Sequence, residues 1–310
     1  MMKTARTART MSSHPPFPRW QAICLLILLA VTFGSSHVCA RIAFDHGTSI
    51  PAAIAARSSA IAVVVLIMLR WQGVSLRPPA GTLPWALLAG VLLGVQSALL
   101  YSAVARIPVA LALLVFNTFP MLFTLLSWMT GGQRPSALRF GLMLAALFGL
   151  SLVLNLSAST AKADGNLLLL GTALALGAAA MFACIMLITE KRLRVMDGRK
   201  RSLYTMVTVA VIVWILGLGH VEGLSIVFPA DGKGWLGVVL LTLLFGTAMT
   251  TLLALMPRLD MARNGSASNI EPIATLGLAW AVLDQTVSPQ QMVGAVIVVL
   301  AIAGLGLVRR

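Results

Sequence analysis

Charged residues are scarce in this sequence, and acidic residues are the scarcest of them. Only 10% of the 310 residues are charged, nine are acidic and 59% are hydrophobic. A typical soluble domain has about 25% charged and roughly 45 to 50% apolar residues. The composition therefore argues against a soluble fold, and no linker is long enough to hold a separate soluble domain.

Cysteine is also rare, with three residues at Cys24, Cys39 and Cys184. The first two lie on one predicted helix and are separated by about 22 Å at 1.5 Å per residue, which is beyond the reach of a disulfide. We therefore expect free thiols that pack as small apolar groups.

Motifs for catalysis and for nucleotide binding are missing as well. The apolar segments contain no lysine and no aspartate, and the chain has no Gly-Lys-Ser/Thr phosphate loop. They offer no nucleophile with its base, no aspartate pair and no histidine cluster for a metal. We expect neither enzyme activity, with no catalytic residue, nor a metal or other cofactor.

Long apolar runs, by contrast, fill almost the whole chain. Each is about 20 residues, the length at which a helix crosses a hydrocarbon layer of ~30 Å. The sequence therefore predicts an all-α polytopic membrane protein with ten transmembrane helices. The predicted helices are residues 22–43, 51–71, 84–104, 107–129, 136–156, 167–189, 203–220, 234–257, 262–283 and 289–308.

The basic residues set the orientation of these helices. The net charge is +14, and most of the 23 lysines and arginines lie at alternate helix ends, on the side of the N terminus. The positive-inside rule then predicts both termini in the cytoplasm and location in the cell inner (plasma) membrane. Residues 1–19, rich in Thr, Ser, Pro and Arg, predict a disordered cytoplasmic tail. A cleaved signal peptide ending at V-C-A, residues 38–40, is the alternative for the first helix.

The positive charge also bears on partners. The bases are not clustered beside stacking aromatic residues, so we expect no nucleic-acid partner. Attraction to anionic membrane lipid is a smaller consequence of the same charges.

The two halves of the sequence match when one is shifted by 152 residues. Asn117 and Pro120 then coincide with Asn269 and Pro272. Each half holds five predicted helices, an odd number, so the second half enters the membrane inverted relative to the first. Inverted repeats are typical of secondary transporters, which bind substrate near the midplane between the halves. The predicted five-helix repeats are residues 20–157 and 166–310.

Two stretches carry a resemblance to a known family. Residues 109–128, V-A-L-A-L-L-V-F-N-T-F-P-M-L-F-T-L-L-S-W, and residues 269–294, beginning N-I-E-P-I-A-T-L-G-L-A-W, resemble the fourth and ninth helices of EamA-type proteins in the drug/metabolite transporter superfamily. Arg57, six residues after Pro51, and G-V-Q-S-A-L-L-Y from Gly94 match as well.

The resemblance implies a ten-helix bundle with a central cavity lined by helices 1 to 4 and 6 to 9, and with helices 5 and 10 outside it. The chain departs from the family pattern at three positions. Phe33 stands where the family often has Trp, and Gln133 and Gln285 stand where it commonly has Glu. A role that needs a carboxylate at those two positions is therefore in doubt.

Two prolines lie inside predicted helices, near the middle of the membrane. Pro120 frees the carbonyl of Phe116, and Pro272 frees that of Ser268, because proline has no N–H to donate. Free carbonyls at this depth are tolerated beside protein or water, so both bends are expected to face the cavity. Each is either a gating hinge or a fixed kink.

Glu271 is the one acid within the predicted helices, and Arg57 is its candidate partner. An ionised carboxylate there costs about 2.5 to 3.5 kcal/mol on insertion scales, so it should be protonated, paired or hydrated. We hypothesise that Glu271 binds a substrate ammonium or carries a coupled proton, against a neutral acid that bridges the Pro272 bend. Arg57 pairs with Glu271, anchors a substrate carboxylate or extends to the outer surface.

Five polar side chains complete the candidate substrate-binding set: Asn117, Asn269, Gln96, Ser36 and His37. Ordinary interhelical hydrogen bonding is the alternative for each. Small residues recur every four positions at 90–102, 171–183 and 141–149, which predicts close helix packing. The last of these stripes is also the candidate contact of a homodimer.

Together these features predict a secondary transporter for a small-molecule substrate. Export of a small amphipathic metabolite, such as an amino acid, by alternating access fits best. Arg57 and Glu271 would then bind the negative and the positive group of the same substrate. The alternatives are a broad-specificity exporter of apolar cations, and a membrane scaffold or lipid-handling protein without transport activity.

Overall fold

The computed structural model describes residues 17–132, 134–154, 165–219, 224–259, 271–283 and 288–307. Within these ranges the chain forms α-helices and no β-strand. The helices are α1 (Arg19–Asp45), α2 (Ile50–Trp71), α3 (Leu83–Val104), α4 (Val109–Phe116), α5 (Phe119–Met129), α6 (Ala137–Leu154), α7 (Gly165–Arg192), α8 (Gly198–Leu218), α9 (Gly232–Leu259), α10 (Glu271–Leu283) and α11 (Pro289–Leu307). The predicted all-α class is confirmed.

Several of these helices have the length and composition of membrane spans. Seven segments of the described chain are long and apolar enough to cross a bilayer, the α4–α5 pair counting as one, and two shorter apolar helices lie at Phe140–Gly149 and Met292–Ala301. The chain is therefore a multi-pass membrane protein. The count of ten spans stays a prediction.

Local sequence explains where α2 and α8 begin. The Ser49 hydroxyl accepts a hydrogen bond of 3.2 Å from the Ala52 N–H, and Pro51 occupies the first turn, where no N–H is needed. The Asp197 carboxylate accepts a bond of 2.8 Å from the Arg199 N–H at the start of α8. Both helices therefore start at a side-chain cap.

The most extensive packing among the described helices joins the first half of the chain to the second. α1 packs on α9, α2 on α8, α3 on α7 and α6 on α11. If each helix is replaced by its equivalent in the other half, the α1–α9 pair becomes the α7–α3 pair. The α2–α8 and α6–α11 pairs map onto themselves. The contact pattern thus has the symmetry of the sequence repeat.

The paired helices run antiparallel. Leu26, near the start of α1, packs with Leu259 at the end of α9, whereas a Cβ on Gly237 at the start of α9 would lie 2.8 Å from the Ala43 nitrogen near the end of α1. The α6–α11 pair shows the same order: a Cβ on Gly149 would lie 2.8 Å from the Gly294 carbonyl oxygen, while Gly304 packs on Leu142.

The stripes of small residues are sites of close approach, as predicted. A Cβ on Gly90 would lie 2.5 Å from the Thr208 Cβ, and one on Gly171 would lie 2.4 Å from Ile107. Gly149 of the third stripe faces α11 of the same chain. That position is therefore occupied within the monomer and is not open to a second copy.

All three cysteines are free, as predicted. Cys39 is buried, but Cys24 is exposed, which corrects the expectation that every thiol is packed. The reason is the orientation of α1, because Leu28, one turn further along the helix, is also exposed.

Candidate functional site

Arg57 of α2 lies inside the bundle with only 5% of its surface exposed. Its Nη1 donates a hydrogen bond of 2.9 Å to the Tyr101 hydroxyl, and its Nη2 donates one of 2.8 Å to the Ser97 hydroxyl. Ser97 and Tyr101 are four residues apart on α3, so both hydroxyls project from the same helix face. The guanidinium therefore does not extend to the outer surface, and α3 fixes its position.

Aromatic rings from both halves of the chain contact the same guanidinium. The Arg57 Cζ is 4.9 Å from the centre of the Tyr101 ring and 4.3 Å from that of Phe245 on α9. Both distances are in the range of a cation–π contact. Phe245 in turn packs edge-on against Phe33 of α1, at 5.2 Å between ring centres. The cation thus lies where α2, α3 and α9 meet.

Two buried nitrogen atoms of this cluster have no hydrogen-bond partner among the described residues. They are Nε of Arg57 and Nδ1 of His37. The His37 side chain is 6% exposed, and its ring centre is 6.0 Å from that of Tyr101. A buried polar group left unpaired costs about 1 to 3 kcal/mol. Both atoms therefore have an unmet hydrogen bond, which a ligand that reached the cluster would satisfy.

Arg57 also has no acidic partner in the part of the chain that the structure describes. The salt bridges of Arg41 with Asp45, His46 with Asp231 and Arg199 with Asp197 all lie elsewhere, between partly exposed side chains. An uncompensated charge away from water is costly. The site therefore presents positive charge for which the described protein supplies no counter-ion.

Glu271 lies beside α1, close to this cluster. It is half-buried at the start of α10, and its carbonyl oxygen accepts a bond of 2.8 Å from the Thr275 hydroxyl. A Cβ on Gly34 would lie 2.3 Å from that hydroxyl oxygen and 3.6 Å from the Glu271 carbonyl oxygen. Gly34 is three residues before His37, about one turn of α1. Glu271 is therefore roughly one helical turn from the cluster.

The structure does not join Arg57 directly to Glu271. Among the described residues the guanidinium bonds only to Tyr101 and Ser97, and the Glu271 carboxylate has no ion pair. The two charged groups therefore lie in the same region without a salt bridge between them.

Of the other candidates, Gln96 joins the cluster. It is 6% exposed, and its Oε1 accepts a bond of 3.4 Å from the Ser97 hydroxyl. Ser36 donates within its own helix to the Phe33 carbonyl at 2.6 Å. The Asn117 amide likewise donates to the Leu113 carbonyl at 2.8 Å. The Ser36 hydroxyl proton is thus used within its own helix, whereas the Asn117 amide has a second N–H besides the one bonded to Leu113.

Comparison with known proteins identifies the family of the chain. The sequence profile of the EamA-like transporter family matches residues 20–155 and, a second time, residues 169–307. The chain belongs to the EamA-like transporter family. The predicted family is confirmed, and its profile matches once in each half of the chain. Membership brings a membrane context and a small-molecule substrate.

Solved structures add the fold of this EamA-like transporter. Seventeen chains match, and one crystal structure covers 93% of this chain and 98% of its own, with 21% identity and a TM-score of 0.62. At that identity the likeness shows the fold alone. None of the curated proteins compared with the transporter matches it.

The transporter breaks its fourth predicted helix close to Pro120. α4 ends at Phe116, α5 begins at Phe119, and Asn117 and Thr118 form the turn between them. Pro120 is the second residue of α5, a position where the missing N–H costs no bond. The chain here is thus two short helices rather than one bent helix.

The matching region of the second repeat is only partly described. Pro272 is the second residue of α10, as Pro120 is of α5. Asn269 and Gln285 lie outside the described residues, as does Gln133. Their roles stay predictions. In the described chain no group of three His, Cys, Asp or Glu side chains is placed to hold a metal ion.

Sequence reasoning missed three members of the cluster: Ser97, Tyr101 and Phe245. A signal was present for two of them, because Ser97 and Tyr101 follow each other at helical spacing and the chain has only two tyrosines. Phe245 offers no such signal, since apolar aromatic residues are common in membrane helices.

Proposed function

We propose that the chain is a secondary transporter that exports a small amphipathic metabolite, such as an amino acid, by alternating access across the inner membrane. The observation that carries the proposal is the buried Arg57 guanidinium, which lacks a counter-ion among the described residues and contacts rings from both halves. A charge held between two repeats suits a site that binds at the midplane and opens to either side.

The proposal includes ten transmembrane helices arranged as two inverted five-helix repeats, with both termini in the cytoplasm. The antiparallel course of α6 and α11, the fifth helices of the two halves, supports the inversion. The excess of Lys and Arg at alternate helix ends supports the orientation.

A substrate carboxylate fits the unpaired Nε–H of Arg57 in the cluster. It would accept a charge-assisted bond from Nε of Arg57, and His37 Nδ1 is the second unpaired atom nearby. In this proposal Glu271, about one turn away, binds the ammonium group of the same substrate or carries a coupled proton. The two charged side chains thus match the two ends of an amino acid.

Export of apolar cations fits this geometry less well. The aromatic faces that would receive a cation, those of Tyr101 and Phe245, already contact the Arg57 cation. A second positive charge there would meet repulsion in a region of low dielectric. The cluster therefore favours a substrate that carries at least one negative group.

Metabolite profiling tests the proposal. Cells overproducing the protein are compared with empty-vector cells and with cells making Glu271→Gln at equal membrane abundance. We expect particular solutes to accumulate in the medium with the unmodified protein and to fall with Glu271→Gln. Release of the same solutes from proteoliposomes then separates transport from a scaffold role. If the unmodified protein releases none of them, the proposal is wrong.

A further inference from the structure

Two sets of loop contacts join the halves at opposite ends of the α2–α8 pair. The first, which we call the 46–231 latch, links residues 46–49 before α2 to residues 225–231 before α9. The second, the 72–204 latch, links residues 72–77 after α2 to residues 199–204 in the first turns of α8. α2 has 22 residues and so separates the two latches by about 33 Å.

The 46–231 latch is built around Ser49. Its N–H donates to the Val227 carbonyl at 2.9 Å, and its hydroxyl donates to the Ser225 carbonyl at 2.9 Å. The Val227 N–H donates back to the Ser49 hydroxyl at 3.0 Å. Next to these bonds, His46 Nδ1 lies 2.5 Å from a carboxylate oxygen of Asp231. The start of α2 is thereby tied to the segment that leads into α9.

The 72–204 latch consists of side chains of α8 that reach the loop after α2. Its three bonds run from the Arg199 guanidinium to the Gln72 side chain, from Lys200 Nζ to the Arg77 carbonyl (3.2 Å), and from the Tyr204 hydroxyl to the Leu76 carbonyl (2.8 Å). The end of α2 is thereby tied to the beginning of α8.

The residues of one latch are equivalent, by the sequence repeat, to those of the other latch. A shift of 152 residues carries 46–49 onto 198–201 and 72–77 onto 224–229. Each latch therefore joins the N-terminal end of the second helix of one half, or the residues just before it, to the stretch after the second helix of the other half. Because equivalent helices run antiparallel, this one kind of contact occurs once at each end of the bundle.

We propose that the two latches hold the two ends of the transporter closed, and that each must release in turn during a transport cycle. The inference rests on the proposed export function, since only alternating access requires the two ends to open one at a time. Both latches are formed in this structure. Each consists of exposed or partly exposed polar bonds, which are weak singly and so suited to repeated opening.

Reversible cross-linking tests the proposal. In a background with alanine at Cys24, Cys39 and Cys184, cysteine pairs are placed by three double substitutions: His46→Cys with Asp231→Cys, Gln72→Cys with Arg199→Cys, and the control Arg41→Cys with Asp45→Cys. The control pair replaces a partly exposed ion pair within α1, so its cross-link joins no two helices. A short bis-methanethiosulfonate reagent closes each pair, and a reductant opens it.

The probe is an isotope-labelled mixture of the proteinogenic amino acids loaded into proteoliposomes, with release followed by mass spectrometry. We expect closure of either latch pair to slow release at least about tenfold, reduction to restore it, and the control cross-link to leave it unchanged. Unchanged release after complete cross-linking of both latch pairs would overturn the proposal.

A second measurement does not depend on the substrate. Spin labels at the same two latch pairs report the distances across each latch in the membrane. We expect a short and a long population for each pair. When one latch is cross-linked closed, the long population at the other latch should remain. A single short distance at both latches overturns the proposal. If the unmodified protein releases no amino acid, the export proposal fails, and these distances alone then test the latch proposal.

Discussion

Replacing Arg57 with methionine separates a transport role of the buried guanidinium from a structural one. The change removes two bonds from a charged donor, each worth about 1.5 to 3 kcal/mol, and leaves the Tyr101 hydroxyl without that partner at a cost of about 1 to 3 kcal/mol. Ser97 keeps Gln96 as its acceptor. The same change also removes a buried, uncompensated charge, which returns several kcal/mol. Because these opposing contributions are of similar size, we expect the free energy of unfolding to change by no more than a few kcal/mol.

Export is expected to respond much more strongly. If Arg57 Nε donates to a substrate carboxylate, losing that bond removes about 1.5 to 3 kcal/mol, a fall of roughly 10- to 150-fold in release at substrate concentrations below saturation. Arg57→Lys retains the charge but not the planar fork, so release should be intermediate. Release from proteoliposomes and thermal unfolding in detergent measure the two quantities separately.

The reasoning is refuted if Arg57→Met, present in the membrane at normal abundance, exports as fast as the unmodified protein. It is equally refuted if the variant loses stability while export per folded molecule is unchanged. In that case the role of Arg57 would be structural, through its hydrogen bonds to Tyr101 and Ser97.

Two further changes test neighbouring features. Gly34→Ala places a Cβ 2.3 Å from a hydroxyl oxygen of α10, so we expect a loss of about 1 to 3 kcal/mol in the free energy of unfolding, measured by thermal unfolding. Gly141→Ala, which meets nothing within 4 Å, is its control, and equal melting temperatures would contradict the close contact. Bonds from the Gly234 N–H and the His46 side chain hold the pKa of Asp231 below its ordinary value. The carboxylate's contribution to the 46–231 latch is therefore complete above the ordinary carboxyl range and is lost as the pH falls through the lowered pKa. With spin labels at Asp45→Cys and Ala230→Cys, which keep His46 and Asp231 in place, the distance across this latch should lengthen in acid. Asp231→Asn in the same labelled background should remove that pH step, and a step that persists would contradict the assignment.

The sequence predicted the helices well, because the length of an apolar run directly reports how much chain crosses the membrane. The predicted segment 51–71 is α2, Ile50–Trp71, almost to the residue, and 84–104 is α3, Leu83–Val104. Within the predicted segment 107–129 the sequence predicted one helix bent at Pro120, whereas the structure has two helices that end at Phe116 and begin at Phe119. Proline at the start of a new helix and proline within a bent one have the same local sequence, and only the backbone distinguishes them.

The site was predicted in part. The depth of Arg57 follows from its position along α2, but its partners depend on which face of α3 turns toward it. Apolar periodicity does not identify that face of α3, since most faces of a membrane helix are apolar. The latches were missed for another reason: they are made by polar residues in short connections, where no periodicity exists. The 152-residue shift relates one latch to the other only once a contact of either is known.

The antiparallel pairing of the halves also bears on how the protein is made. The main partners of α1, α2, α3 and α6 lie in the second half of the chain. The first five predicted helices are therefore complete in the membrane before the surfaces that stabilise them have been synthesised. Assembly must be a late event that follows insertion of the second half, as in the two-stage view of membrane protein folding. We therefore expect the two halves, made as separate chains in one cell, to associate through these paired helix faces.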